Sequence, residues 1–159
     1  AVHYVDESLG IFVDSLKQAA LWDNTLIILI ADHAMQSYPE GINNNDSSRF
    51  KIPMIWIGGA IKEPLVVNDY GSQNDLASTL FSQLNIKHDE FKFSKDMLNP
   101  AARKFAFYSY MNGFSLIDST GMVTYDNDKK GVIQESGNPE LEKQAKAFFQ
   151  TMYIDLGSR

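Results

Sequence analysis

The sequence predicts an α/β domain, and three observations carry this prediction. A helical pattern at the N-terminus is followed by two strongly apolar, β-rich runs, "TLIILIAD" and "IPMIWIGG", and then by a second helical pattern, "SQNDLASTLFSQLNI". Helices and strands that follow one another in this way pack as layers. Beyond Pro100 the pattern changes to short aromatic and β-branched runs, which predict a small antiparallel sheet and a closing helix.

Composition limits the classes of function that this chain can have. Its 159 residues are enough for a hydrophobic core, and its formal charge of −6 argues against non-specific binding to nucleic acid. The absence of cysteine excludes a disulfide scaffold and thiolate chemistry. No apolar run is long enough to span a bilayer. Because the chain starts at Ala1 and enters a helix almost at once, we expect it to be a piece of a longer protein.

The first helix and the first strand are predicted from their apolar patterns. The helix should end near Asp23-Asn24. Its apolar face comprises Val5, Leu9, Phe12, Val13 and Leu16. The strand that follows shows no alternation, which is typical of a strand covered on both faces, as in a parallel sheet. Residues 33–50 then form a long polar loop, and long loops in compact domains tend to be functional or mobile.

The second and last helices carry recognisable N-terminal signals. Asn74 or Asp75 is the predicted cap of the second helix, and Asn138, followed by Pro139 at the first helical position, caps the last one. The predicted apolar faces comprise Leu76, Leu80, Phe81 and Leu84 in the second helix and Leu141, Ala145, Phe149 and Met152 in the last. Between these helices, turn signals at Asn112-Gly113, Thr120-Gly121 and Lys130-Gly131 separate short antiparallel strands.

Asp32 and His33, directly after the first strand, are the sharpest candidates for a functional site. Carboxylate oxygen and imidazole nitrogen suit divalent ions such as Zn, Mn or Fe. Neighbours within a strand point to opposite faces, so the two side chains reach one ion only if the backbone leaves the β conformation. Open α/β sheets place ligand sites at this end of their strands. On the dipeptide alone, a capping aspartate beside a surface histidine is the favoured alternative.

Two further groups of residues have a functional and a structural interpretation. Four aromatic residues alternate along one predicted strand: Phe105, Phe107, Tyr108 and Tyr110. They would suit a platform for a sugar or a lipid, but packing of the strand on the closing helix is the favoured interpretation. Arg49 and Lys51 flank the second strand and would meet an anionic substrate there, although isolated surface cations are commoner.

The order of motifs resembles a known family. The stretch "YVDESLGIFVDSLKQAALWDNTLIILIADHA" is similar to the C-terminal half of the sulfatase-type catalytic domain of the alkaline phosphatase superfamily, closest to lipoteichoic acid synthase-like phosphoglycerol transferases and sulfatases. "RFKIPMIWIGGAI", "YGSQNDLASTLFSQLNI" and "FSKDML" follow in the family's order, so the resemblance covers most of residues 4–125. It implies the second half of an alkaline phosphatase-like sandwich, with residues 1–99 in the catalytic domain and residues 100–159 as an antiparallel C-terminal subdomain continuous with it.

The resemblance also implies roles for individual residues. Asp32 and His33 would ligate a catalytic divalent ion (Mn, Mg, Zn or Ca), and Ser37 would touch the substrate head group, with a solvated loop serine as an equal alternative. The family's nucleophile, which is Thr, Ser or a Cys-derived residue, lies in its N-terminal half and has no counterpart here. Thr79 is a poor nucleophile candidate because it lies in mid-helix. Two histidines are assigned no role: His3 is expected to be structural and His88 to be solvated.

The implied parent is a metal-dependent hydrolase of sulfuric or phosphoric esters, or a phosphoglycerol-type transferase. It would act on a sulfate or phosphate ester outside the cytoplasmic membrane, tethered by a membrane segment absent from this chain. We expect the isolated chain to be inactive and to self-associate through its exposed strand edge. The alternative is a non-catalytic α/β binding or interaction module.

Overall fold

A computed structural model describes residues 2–34 and 41–159. The chain divides into two compact units, one of Ala1–Gln36 and Phe50–Val66, the other of Ser37–Arg49 and Val67–Arg159. The elements in chain order are α1 (Val2–Gln18), β1 (Ile27–Ile30), β2 (Met54–Ile57), α2 (Asp75–Gln83), β3 (Phe105–Tyr110), β4 (Gly113–Asp118), β5 (Gly121–Asp126), β6 (Gly131–Gly137) and α3 (Glu140–Gly157), with short 3-10 helices at Trp22–Asn24 and Ser47–Phe50. The predicted α/β class, with an antiparallel C-terminal sheet and a closing helix, is confirmed.

In the first unit, α1 ends earlier than its apolar pattern predicts. Ala20 has a φ of +55°, its N–H bonds to the Lys17 carbonyl at 3.1 Å, and the N–H of Leu21 bonds to the Leu16 carbonyl at 2.9 Å. These two bonds around a left-handed residue form a Schellman motif, which stops a helix. Among the described residues, none of α1 is buried. Of its predicted apolar face, Val5 and Phe12 are exposed.

The first strand has an antiparallel neighbour, so the expectation of a parallel one is wrong for this pair. β1 pairs with β2 from Ile27 opposite Ile57 to Ile30 opposite Met54, and all four β1 residues are half-buried. Gly58 closes β2 with a φ of +129°, where a Cβ would lie 2.1 Å from the Thr25 carbonyl oxygen. The apolar run correctly predicts a strand. Its composition does not specify whether the neighbouring strand runs parallel or antiparallel to it.

The second unit contains a four-stranded meander in the order β3-β4-β5-β6, antiparallel throughout. Its last three strands begin at Gly113, Gly121 and Gly131, as the turn signals predict. One face packs on α3, around the buried residues Phe114, Leu116, Val123, Leu141 and Ala145. Phe149 of α3 stacks on Phe114 with 4.4 Å between ring centroids. The packing interpretation of Phe105 and Phe107 is confirmed, since both rings contact Phe148 of α3.

The start of α3 follows its sequence signal. The side-chain oxygen of Asn138 accepts a hydrogen bond from the N–H of Glu140 at 3.0 Å, and the Asn138 carbonyl accepts one from the N–H of Leu141 at 3.1 Å. Both bonds use N–H groups that a helix cannot satisfy internally. These bonds agree with the predicted capping role of Asn138, while α3 itself begins at Glu140, one residue after the predicted first helical position, Pro139.

The second helix differs from its prediction in which side it buries. Its buried residues are polar, namely Asp75, Ser78 and Thr79, whereas Leu84 of the predicted apolar face is exposed. Asn74 makes no capping bond, and its amide donates to the Phe93 carbonyl instead. The polar side is buried because residues 16 to 20 positions further along the chain satisfy it. Three residues of the predicted apolar face, Leu76, Leu80 and Phe81, are half-buried. α2 lies in the same compact unit as the antiparallel sheet. The boundary between a catalytic domain and a C-terminal subdomain at residue 100, which the family resemblance implies, stays a prediction.

Candidate metal centre

Asp32 and His33 lie directly beyond the end of β1, where the chain bends out of the strand. The last β1–β2 contact is the bond from the Ala31 N–H to the Pro53 carbonyl at 3.5 Å. Because the bend breaks the alternation of the strand, the two side chains come to the same side. Nε2 of His33 lies 3.4 Å from Oδ2 of Asp32. The structure thus brings together the two residues that the sequence singles out.

The ring of His33 is oriented by the backbone. Its Nδ1 lies 2.9 Å from the carbonyl oxygen of Ala34. Since a carbonyl only accepts hydrogen bonds, Nδ1 carries a proton, and Nε2 is the ring nitrogen that faces Asp32. A backbone carbonyl behind Nδ1 is the usual support of a metal-binding histidine. The carboxylate is oriented as well, because its Oδ1 accepts the His33 N–H at 2.8 Å.

Asp32 and His33 are exposed to solvent, and they provide two potential metal ligands. The side chains are 67% exposed for His33 and 87% exposed for Asp32. Within residues 2–34 and 41–159, no group of three or more His, Cys, Asp or Glu side chains is placed to hold a metal ion. The donor atoms fit a divalent cation, and two protein ligands leave most of its coordination to water or to other groups.

Ser37, the residue predicted to touch the substrate head group, lies outside the described residues, and that role stays a prediction. Arg49, a candidate for meeting an anionic substrate, donates to the Ile42 carbonyl through Nε at 3.0 Å and Nη2 at 2.6 Å. Nε also lies 3.2 Å from the Asn43 carbonyl. Its guanidinium therefore braces a loop, while Lys51, the second candidate cation, is exposed.

The remaining histidine and threonine candidates have structural surroundings. His88 is half-buried rather than solvated, with Nδ1 2.8 Å from the Ile86 carbonyl and Nε2 3.4 Å from the Ser82 hydroxyl. His3 lies exposed on α1. The hydroxyl of Thr79 donates to the Asp75 carbonyl at 2.7 Å and accepts from the Met97 N–H at 2.9 Å. A hydroxyl that is buried and bonded in this way is not presented to a substrate.

Sequence reasoning missed one polar contact. Tyr108, interpreted as part of a packed aromatic strand, donates through its hydroxyl to the Asn45 carbonyl at 3.0 Å. Because side chains alternate along a strand, Tyr108 lies on the opposite face of the sheet from Phe107. This alternation was the sequence signal that Tyr108 does not pack on α3 beside Phe107. The acceptor is a backbone atom in a loop 63 residues away, and no spacing rule identifies such a partner.

None of the helices in the described part of the chain is both long and apolar enough to cross a membrane. Comparison with known proteins assigns the family. A model of the sulfatase family matches residues 1–86, which is more than half of the chain. A lipoteichoic acid synthase-like protein of Bacillus subtilis, YvgJ, is 27% identical over 170 aligned residues, which cover 91% of this chain and 28% of that protein. The chain therefore spans less than a third of the length of this relative, and its match to the family model shows that it belongs to the sulfatase family.

Proposed function

We propose that this chain is the part of a metal-dependent ester hydrolase or phosphoglycerol-type transferase that supplies two ligands to the catalytic cation. The convergence of Asp32 Oδ2 and His33 Nε2 to 3.4 Å at the end of β1 carries the proposal. Membership of the sulfatase family supports chemistry on sulfuric or phosphoric esters. The similarity to a lipoteichoic acid synthase-like protein supports the transferase branch and an extracytoplasmic, membrane-tethered parent.

The roles of the residues follow from their hydrogen bonds. Asp32 binds through Oδ2 and contributes the negative charge that a dication requires, while His33 binds through Nε2. The Ala34 carbonyl holds the ring in the tautomer that leaves Nε2 available. A divalent cation, when bound, supplies Lewis acidity at an ester oxygen and lowers the pKa of a coordinated nucleophile.

Catalysis needs two further contributions, a nucleophile and more ligands, and we propose that other parts of the parent provide them. Thr79, the one threonine weighed as a nucleophile, is buried and bonded. We therefore expect the isolated 159-residue chain to show no turnover. Hydrolysis of an aryl sulfate or a phosphodiester by this chain, abolished by Asp32→Ala, would contradict that expectation.

A Mn²⁺ titration, followed through the signal of the free ion in electron paramagnetic resonance, tests the metal centre. The wild-type chain should bind one ion weakly, and His33→Ala or Asp32→Ala should each weaken binding roughly tenfold or more, because each removes half of the protein ligands. His3→Ala is the matched control, since His3 is also exposed and precedes the predicted site by 29 residues. Equal affinity in wild type and His33→Ala would favour the alternative, a non-catalytic binding module.

A further inference from the structure

A shallow depression of about 410 Å³ opens at one end of the four-stranded sheet. The turn between β4 and β5 and the last residues of β6 line one side of it, and Ser47 and Tyr70 line it from outside the sheet. All of these residues belong to the second compact unit. A volume of this size is in the range of small-molecule sites, so the chemistry of the lining indicates which ligand fits it.

The sheet contributes bare backbone to this depression. Gly121 and Gly137 face each other across β5 and β6. A Cβ on Gly121 would lie 2.0 Å from the Ser136 carbonyl oxygen, and one on Gly137 would lie 1.9 Å from the Thr120 carbonyl oxygen. No side chain fits at either position, so a ligand can approach the backbone closely here.

The side chains around this surface are rich in hydroxyl groups. Four of them make no hydrogen bond within the described part of the chain: Ser47, Tyr70, Ser119 and Ser136. A hydroxyl both donates and accepts, so these groups are available in either role to a bound molecule. The lining therefore matches a ligand that itself carries several hydroxyl groups.

Asp118 supplies an acceptor that is held in place. Its side chain is 10% exposed. Oδ1 accepts the N–H and the hydroxyl of Thr120 at 2.7 and 2.6 Å, and Oδ2 accepts from Arg103 at 3.2 Å. A carboxylate has about four lone-pair sites, so Oδ2 retains capacity for a further donor. Such a fixed acceptor orients a ligand through its hydroxyl groups.

The lining carries carboxylates and, within the described residues, no lysine or arginine. A second depression of about 290 Å³ adjoins the first, since the two share Met122, Ser136 and Gly137. It adds the carboxylates of Glu135 and Glu142. Two of the carboxylates pair with cations outside the lining. A phosphate or sulfate group thus has no cationic partner in the lining, and an uncharged ligand needs none.

We propose that this end of the sheet is a binding site for an uncharged sugar of one or two hexopyranose rings. Tyr70, 40% exposed, packs its ring on the C–H groups of the sugar, which the electron-rich face of an aromatic ring attracts. Asp118 accepts from sugar hydroxyls, and Ser119 and Ser136 bond to sugar oxygens. The site shares no residue with the metal centre and needs no ion, so it goes beyond the proposed function and does not depend on it.

NMR titration of the 159-residue chain with glucose, galactose and mannose tests the site. At least one of these sugars should shift the amide signals of residues 118–121 and 136–137. Its dissociation constant should be on the order of 1 mM, the affinity expected for about 12 non-hydrogen atoms at ordinary ligand efficiency. The 6-phosphate of the same sugar should bind more weakly, because the carboxylates repel it.

Variants test the roles of the lining residues. Tyr70→Ala removes the ring and should weaken sugar binding about tenfold or more, whereas Tyr70→Phe keeps the ring and should weaken it by no more than about threefold. Ser136→Ala removes one exposed hydroxyl and should weaken binding about two- to tenfold. Tyr4→Ala is the matched control, since Tyr4 is 73% exposed on α1 and does not line the depression. Its affinity should equal that of wild type.

Four outcomes would overturn the proposal. The first two are the absence of shifts with all three sugars at tens of millimolar and shifts centred on other residues. Wild-type affinity in Tyr70→Ala would assign binding to another surface. If Tyr70→Ala loses its folded spectrum, Ser136→Ala decides in its place, and unchanged affinity there has the same meaning. Tighter binding of a sugar 6-phosphate than of its parent sugar would show that the ligand is not uncharged.

Discussion

The ammonium group of Lys95 is paired with the carboxylate of Asp75 inside the second unit, where the two side chains are 17% and 1% exposed. Asp75 also accepts the N–H of Ser72 at 2.7 Å and that of Lys95 at 3.1 Å. The ammonium donates to the Phe105 carbonyl at 2.9 Å and lies 4.0 Å from the centroid of the Phe105 ring. One buried carboxylate thus ties the start of α2 to the segment after it and to the first strand of the meander.

Removing the charge of Asp75 should be strongly destabilising. Burial lowers the pKa of Lys95, and the bond to Asp75 offsets part of that effect, so Asp75→Asn leaves a buried ammonium without its counterion. We expect the free energy of unfolding to fall by about 3–5 kcal/mol, measured by urea denaturation. Asp89→Asn is the control, because the side chains of Asp89 and its partner Lys87 are 77% and 84% exposed. This substitution should change the free energy of unfolding by less than about 0.5 kcal/mol. Similar losses in the two variants would show that the buried pair contributes no more than a surface pair.

Two glycines in the first unit should respond to alanine in opposite directions. Gly58→Ala places a Cβ 2.1 Å from the Thr25 carbonyl oxygen at a φ of +129°, so we expect a loss of about 2 kcal/mol or more. Gly10 lies inside α1 with nothing within 4 Å of the added Cβ, and Gly10→Ala should stabilise the chain by about 0.5–1 kcal/mol. Thermal unfolding measures both, and a harmless Gly58→Ala would contradict the close approach of β2 to Thr25.

Acid should destabilise the second unit through Asp118. Burial is the largest single influence on this carboxyl and raises its pKa, but bonds from Thr120 at 2.6 and 2.7 Å and from Arg103 at 3.2 Å together outweigh it and lower the pKa. A carboxylate whose pKa is lower in the folded chain stabilises it above the unfolded value, near pH 4, and loses that effect as the pH falls through the folded value.

Urea midpoints measured from about pH 6 to about pH 2 test this dependence. The decline of the wild-type midpoint in acid should be shallower in Asp118→Asn, because the asparagine carries no titrating proton. Asp89→Asn, at an exposed position, should keep the wild-type profile. A profile for Asp118→Asn that coincides with wild type over the whole range would contradict the assignment.

The parts of the fold that the sequence predicts well are the ones set by neighbouring residues. Asn138 bonds to the second amide beyond it at the start of α3, and the meander turns beside the glycines at positions 113, 121 and 131. The ends of α1 and α2 are also local, since left-handed residues terminate them at Ala20 and Asn85. Neither of these is a glycine, however, so the usual signal was absent, and both predicted helices were too long.

The buried side of α2 and the direction of β2 depend on partners distant in sequence. Asp75 and Thr79 are buried because Lys95 and Met97 satisfy them, and nothing within the helix reveals that. For the candidate metal centre, the sequence revealed that an aspartate and a histidine, Asp32 and His33, directly follow a strand. Nε2 of His33 and Oδ2 of Asp32 lie 3.4 Å apart because the backbone bends after β1. In a regular strand the two side chains would point to opposite faces of the sheet.

The sequence by itself determined the α/β class, the antiparallel C-terminal sheet with its closing helix, and the two residues that head the candidate site. Short-range sterics, capping and apolar spacing act between near neighbours, and so they can be read from the chain. Only the tertiary structure decided the antiparallel partner of β1, the polar burial of α2, and the bond that joins Tyr108 to Asn45. Hydrogen bonds between distant segments satisfy groups whose residue types alone do not identify their partners.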